Sequence, residues 1–88
     1  MSSATRPIRW SQHAREQATR RGTTDSEVVE AIRTAPWQAA DLGKRECRKT
    51  FAFHGTWHGN SYPVKEVRPI FADEAREIVV VTVYVYYR

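Results

Sequence analysis

Residues 78–87 read IVVVTVYVYY, and no other stretch limits the possible fold as tightly. β-branched and aromatic side chains suit a pleated surface and lose rotamer freedom in a helix, so the run is predicted to be a strand. Strict alternation sends Val79, Val81, Val83 and Val85 one way and Val80, Thr82, Tyr84 and Tyr86 the other. Parity leaves open which of these faces is covered by the rest of the chain. A strand this apolar needs partners on its edge and a layer over one face.

The partners are sought upstream. RKTFAF (48–53) alternates with Phe51 and Phe53 on one side, as a half-buried strand does, and VKEVRPIF (64–71) reads as another. Pro69 lacks a ladder donor, which points to an edge position or a bulge there. HGTWHGNSYP (54–63) is rich in turn residues and is expected to be a connection. ADEAR (72–76) is a turn, and WQAADLG (37–43) offers a short additional strand.

The covering layer comes from the first part of the chain. Ser11 is a good N-cap and Gly22 a good C′ residue, so residues 12–21 are predicted to be helical, with Ala14 and Ala18 as a small apolar stripe. Thr24 and Glu27 form a capping box, Val28, Ala31, Ile32 and Ala35 recur at helical spacing, and Pro36 ends the second helix. The expected architecture is α+β, with a two-helix hairpin on a three- to four-stranded antiparallel sheet. With 88 residues, it forms one domain over 1–88.

The formal net charge is +4 and the isoelectric point about 9.6. The excess lies mainly between Arg6 and Arg21 and between Lys44 and Lys49. Phosphate-bearing partners are therefore favoured, nucleic acid first, although solubility alone makes many small proteins basic. No apolar run approaches the ~20 residues that span a bilayer, so no membrane partner is expected. The N-terminal residues lack the apolar core of a signal peptide, and the lone Cys47 has no disulfide partner, which together suggest a cytoplasmic protein.

His13, Gln17 and Arg20/Arg21 recur at i, i+4 and i+7/i+8, one stripe beside Ala14 and Ala18. Histidine titrates near neutrality and arginine binds phosphate bidentately. These are the two requirements of RNA cleavage by its own 2′-hydroxyl: proton transfer and stabilisation of charge on phosphorus. A plainer reading has His13 packed on Trp10 or the sheet and the arginines solvated. Thr82, Tyr84 and Tyr86 bring hydroxyls to one face of the last strand, where such residues are also simply good strand formers. Tyr86, Tyr87 and Trp57 can stack on bases or serve the core. Zinc can be drawn on Cys47, His54, His58 and His13, but Gly55 and Gly59 argue against the helix that would align the histidine pair. Neither a metal nor another cofactor is expected.

The run SQHAREQATRRGTTDSEVVEAI resembles the opening of a small bacterial family long labelled a domain of unknown function. Its members begin H-A-x-x-R-x-x-x-R-G-I-(S/T)-x-x-(E/D)-V, and His13, Ala14, Arg21, Gly22, Thr24, Glu27 and Val28 match. The ending YPVKEVRPIFADEAREIVVVTVYVYY is similar to that family's C-terminal hairpin. Gln17 stands where a basic residue is frequent, removing one phosphate contact, and Thr23 where an isoleucine usually packs. The family is similar in layout to RelE/ParE toxins and to the barnase–EndoU–colicin–RelE group of ribonucleases.

The resemblance implies a RelE-like fold and a toxin-like, metal-independent endoribonuclease acting on RNA or on the ribosome, with a cognate antitoxin as partner. His13, Arg21, Thr82 and Tyr84 are the implied catalytic residues. Arg15, Gln17, Arg20, Lys49 and Lys65 are the further RNA-binding candidates. The alternative is a non-catalytic RNA- or protein-binding module of the same fold. The apolar terminal strand also leaves open pairing with a second copy, so monomer and homodimer are both considered.

Overall fold

The structure is a computed structural model that describes residues 6–88; the first five residues, part of the stretch read above for a leader, lie outside it. Its elements are β1 (Ile8–Trp10), α1 (Gln12–Arg21), α2 (Asp25–Thr34), β2 (Gln38–Ala39), β3 (Arg45–Glu46), β4 (Lys49–Trp57), β5 (Asn60–Asp73) and β6 (Ile78–Tyr87). The described residues form an α+β fold of two helices on a six-stranded sheet. The sheet is mixed, not purely antiparallel, because β1 pairs parallel with the start of β6. Sequence reading missed β1 because a three-residue strand carries too little periodicity to register. No described helix is long and apolar enough to cross a membrane.

The helices begin and end where their caps require. The Ser11 hydroxyl accepts from the Ala14 amide, and the reciprocal capping box of Thr24 and Glu27 is complete. Ala14 and Ala18 let α1 lie close on β6, while Val28, Ala31 and Ile32 press α2 onto the sheet. Val67, Phe71, Ile78, Val80 and Val83 supply the sheet side of the core.

β5 is the central strand, with β6 on one side and both β3 and β4 on the other. Pro69 therefore lies in a doubly paired strand, not at an edge. β3 pairs with β5 as far as Ile70 and β4 begins at Val67, so the proline's missing donor falls at the break between them. The stretch expected to be a connection is instead the end of a hairpin. β4 runs to Trp57 and β5 starts at Asn60, joined by His58 and Gly59 with φ of 50° and 83°. Positive φ at both positions suits the tight turn whose twist matches paired strands.

The alternation proposed for β6 is broken. Its pairing with β5 shifts between Ile70–Thr82 and Phe71–Val80, leaving Val81 as an extra, bulged residue. The side chains facing the helices are consequently Ile78 and Val80 before the bulge and Val83 and Val85 after it. Thr82, Tyr84 and Tyr86 fall on the open face.

Gly22 ties the helical layer to the far end of the sheet. Its φ is 83°, and an added Cβ would lie 2.5 Å from the Tyr87 hydroxyl and 2.6 Å from the Trp57 ring. The Tyr87 hydroxyl donates to the Arg21 carbonyl at 2.6 Å, and the Trp57 and Tyr87 rings stack 4.7 Å apart. Gly22→Ala adds a left-handed conformation to a clash with two packed rings. It should cost at least about 2 kcal/mol, read as a lower urea midpoint with an unchanged slope.

Candidate functional site

The open face of β5 and β6 carries a compact group of arginines and tyrosines. The Tyr84 ring lies between two guanidiniums, with Arg21 Cζ 4.9 Å and Arg68 Cζ 5.5 Å from its centre. Arg68 and Tyr84 are directly opposed across the β5–β6 ladder, which sets their spacing. Arg21 arrives from the other direction: it leaves the last turn of α1, crosses the free edge of β6 and donates from Nη1 to the Val83 carbonyl at 3.0 Å.

Arg68 is held in place by a buried carboxylate. Its Nε donates to Glu46 Oε2 at 3.0 Å and its Nη2 to Oε1 at 2.8 Å, a two-point pairing. Its Nη1 also donates to the Tyr86 hydroxyl at 3.3 Å. Arg48 stands 3.8 Å from Glu46, and Arg88 pairs with Glu66 beside them. These hydrogen bonds from Arg68 hold the Glu46 carboxyl below the usual carboxylate range, outweighing its burial. The same pairing raises the Arg68 guanidinium above its ordinary value. The face thus presents fixed cations, hydroxyls and an exposed ring, Tyr86 being 41% exposed.

The four residues expected to be catalytic fall at two ends of one rim. Ser11 docks the start of α1 onto the bulge, its amide donating to Val80 at 3.0 Å and its hydroxyl to Val81 at 3.4 Å. His13, exposed on the first turn of α1, is two residues beyond that dock, and Thr82 is one residue from it on β6. Arg21 and Tyr84 form the other end. At 1.5 Å rise per residue, His13 and Arg21 are about 12 Å apart along the helix. Gln17 lies between them, 9% exposed, and its buried Oε1 has no hydrogen-bond partner among the described residues.

The residues expected to bind RNA are spread more widely. Arg20 is exposed, and Arg15 points outward, 3.4 Å from Asp25 and over the Trp10 ring. Lys49 is 3.6 Å from Glu30. Lys65 is not a surface cation. It is 5% exposed, and its ammonium reaches the Gly22 carbonyl and the Glu27 carboxylate, both at 2.9 Å. Burial by itself would raise the Glu27 carboxyl, but hydrogen bonds from Lys65, Thr23 and the Thr24 amide bring it below its usual range. Lys65 is thereby engaged in fastening the helix hairpin to the sheet. Cys47 is buried beside Glu46; burial first and that carboxylate second push its thiol up to about 12. His13, His54 and His58 sit on α1, on β4 and in the turn after it.

Sequence reasoning passed over Arg68 and Glu46, which organise the face. Their only signal was the alternation of VKEVRPIF, which puts Glu66, Arg68 and Ile70 on one side; what they oppose depends on strand register. No protein-family model, curated protein or solved structure matches the chain.

The Glu46–Arg68 pair gives a pH signature. A carboxyl whose folded-state value is depressed adds stability above the ordinary carboxylate range and loses it as pH falls through the folded-state value. Glu46→Gln should cost about 1–3 kcal/mol at pH 7. The gap between the wild-type and variant urea midpoints should then narrow as the pH falls below the usual carboxylate range.

Proposed function

We propose that the open face binds RNA and that the protein is a metal-independent endoribonuclease of the toxin type, with a RelE-like layout and a neutralising antitoxin as partner. The observation that carries this reading is the Tyr84 ring held between Arg21 and Arg68, with the exposed Tyr86 beside it. Guanidiniums in fixed positions neutralise a phosphate, and tyrosine rings offer a surface on which unpaired bases stack. The resemblance of the N-terminal run to the bacterial family described above supports the same conclusion, since His13, Arg21 and Gly22 are its matching positions.

The reaction is attack of a 2′-oxygen on the adjacent phosphorus. A base takes the 2′-hydroxyl proton, the bond to the 5′-oxygen breaks, and an acid protonates the leaving oxygen, giving a 2′,3′-cyclic phosphate and a 5′-hydroxyl. Arg21 and Arg68 stabilise the charge that grows on the phosphoryl oxygens. Tyr84 stands between them as a hydroxyl donor, and His13 and Thr82 serve from the other end of the rim. RNA, free or on the ribosome, is the substrate.

A second reading, an RNA-binding module without catalysis, is favoured by one feature. The imidazole of His13 and the Arg21–Tyr84 pair are separated by two turns of helix, so a single phosphate meets both only if the side chains or the RNA bend toward each other. Incubation with bacterial RNA and with ribosomes in excess EDTA separates the readings. Fragments with cyclic phosphate ends are expected from wild type. Tyr84→Phe and Arg21→Ala should each lower the rate at least about 100-fold, and His13→Ala should do so if the rim acts as one site. Binding that weakens steeply with salt, with intact RNA at every pH, would leave the module reading in its place.

A further inference from the structure

A groove opens on the same face, next to Arg68, where the β2–β3 hairpin rises over the sheet. It encloses about 590 Å³, and Ile70 and the bulged Val81 lie along its apolar floor. The hairpin loop forms its lip. Leu42 is 93% exposed and held at φ 58°, a backbone region that a bulky side chain enters only at a cost. An exposed, strained leucine beside an apolar floor has no part in the core of this protein.

The walls are charged in a particular order. Asp41 and Lys44 come from the loop and Glu46 and Arg68 from the strands. Glu46 gives both oxygens to Arg68 and has Arg48 3.8 Å away, but a carboxylate has about four lone-pair directions, so it can still accept from a further donor. The Asp41 carboxylate and the Lys44 ammonium meet no opposite charge among the described residues. The groove therefore combines apolar contact for a flat ring, carboxylates that accept from N–H groups, and cations for a phosphate.

We propose that this groove receives one unstacked guanine base of a single-stranded RNA, its two adjacent Watson–Crick donors directed at the Asp41 and Glu46 carboxylates. The inference rests on the RNA-binding reading above and names the base specificity of that face. Guanine alone offers two neighbouring N–H donors, from N1 and the 2-amino group, on one edge. Adenine and cytosine place an acceptor beside their single amino group, and uracil flanks its N–H with carbonyls, each facing a carboxylate unfavourably. The ring of the base lies between Leu42 and the Ile70–Val81 floor. The phosphate on one side meets Lys44 and the one on the other meets Arg68, so the base is the immediate neighbour of the phosphate bound at Tyr84. A base in a duplex has its donor edge occupied, so the groove selects unpaired RNA.

The test uses fluorescent 2′-O-methyl oligouridine octamers carrying one central G, A, C or U, because the methyl group blocks cleavage and leaves binding as the readout. The G octamer should bind at least about fivefold more tightly than the U octamer. Asp41→Asn and Leu42→Gly, both in an exposed loop, should each abolish most of that preference, read as the ratio of G-octamer to U-octamer affinity. Equal affinity for all four octamers overturns the guanine site while the RNA-binding reading stands. A preference that survives in both variants also overturns it. Failure of every octamer to bind at low salt sinks the RNA-binding reading and this inference with it.

Discussion

One residue inserted in a ladder, Val81, sets the two faces of this protein. By adding a position to β6 opposite the Ile70–Phe71 step, it reverses which side chains meet the helices. Without it, the strand that puts Ile78 and Val80 into the core would send Thr82 and Tyr84 there too. Val83 and Val85 would face solvent. Burying tyrosine and threonine hydroxyls against alanine and valine without partners would cost several times what the exposed valines lose. The same bulge turns the Val80 and Val81 carbonyls toward the Ser11 amide and hydroxyl, so the start of α1 is docked where the strand changes face.

The far end of the helical layer is fastened by a polar joint within an aromatic cluster. Lys65 is buried beneath the α1–α2 turn, where its ammonium meets the Gly22 carbonyl and the Glu27 carboxylate. A buried ammonium is stable only when paired and hydrogen-bonded, and both conditions hold here. Tyr87 adds a hydrogen bond to Arg21, and Trp57 and Phe53 pack on its ring. Gly22 leaves the space that lets these rings approach. Because Arg21 immediately precedes this joint, the anchoring of its backbone also aims its side chain across the sheet edge at Tyr84. The joint therefore links helix capping to the geometry of the open face.

Among the described residues, the two long strands β4 and β6 each leave an open edge to be managed. Among the described residues β4 has no partner on its outer side, and a register shift near Phe53 and His54 interrupts it as a template for another strand. β6 is free beyond its short pairing with β1, and there Arg21 occupies the Val83 carbonyl. A residue proposed to hold phosphate thus also blocks the edge at which a second chain would add.

The chain alone determined the elements whose signal is local. Both helices follow from caps and spacing at Ser11, Gly22, Thr24, Glu27 and Pro36, and the strand character of 78–87 follows from its β-branched and aromatic run. The α+β class and the small apolar stripe of α1 were readable in the same way. Tertiary structure decided everything that depends on register: the parallel β1, the reach of the β4–β5 hairpin to the His58–Gly59 turn, and the face on which Tyr84 lies. It also decided that Lys65 is buried and that Glu46 and Arg68 form a pair. A bulge has no signature in a run of valines, since the extra residue is as apolar as its neighbours. Arg68 and Tyr84 are 16 residues apart in sequence and become neighbours only when β5 and β6 pair in one particular register. Caps and periodicity act within a turn or two of chain, whereas the site is assembled by contacts between strands, whose alignment is chosen by the whole core at once.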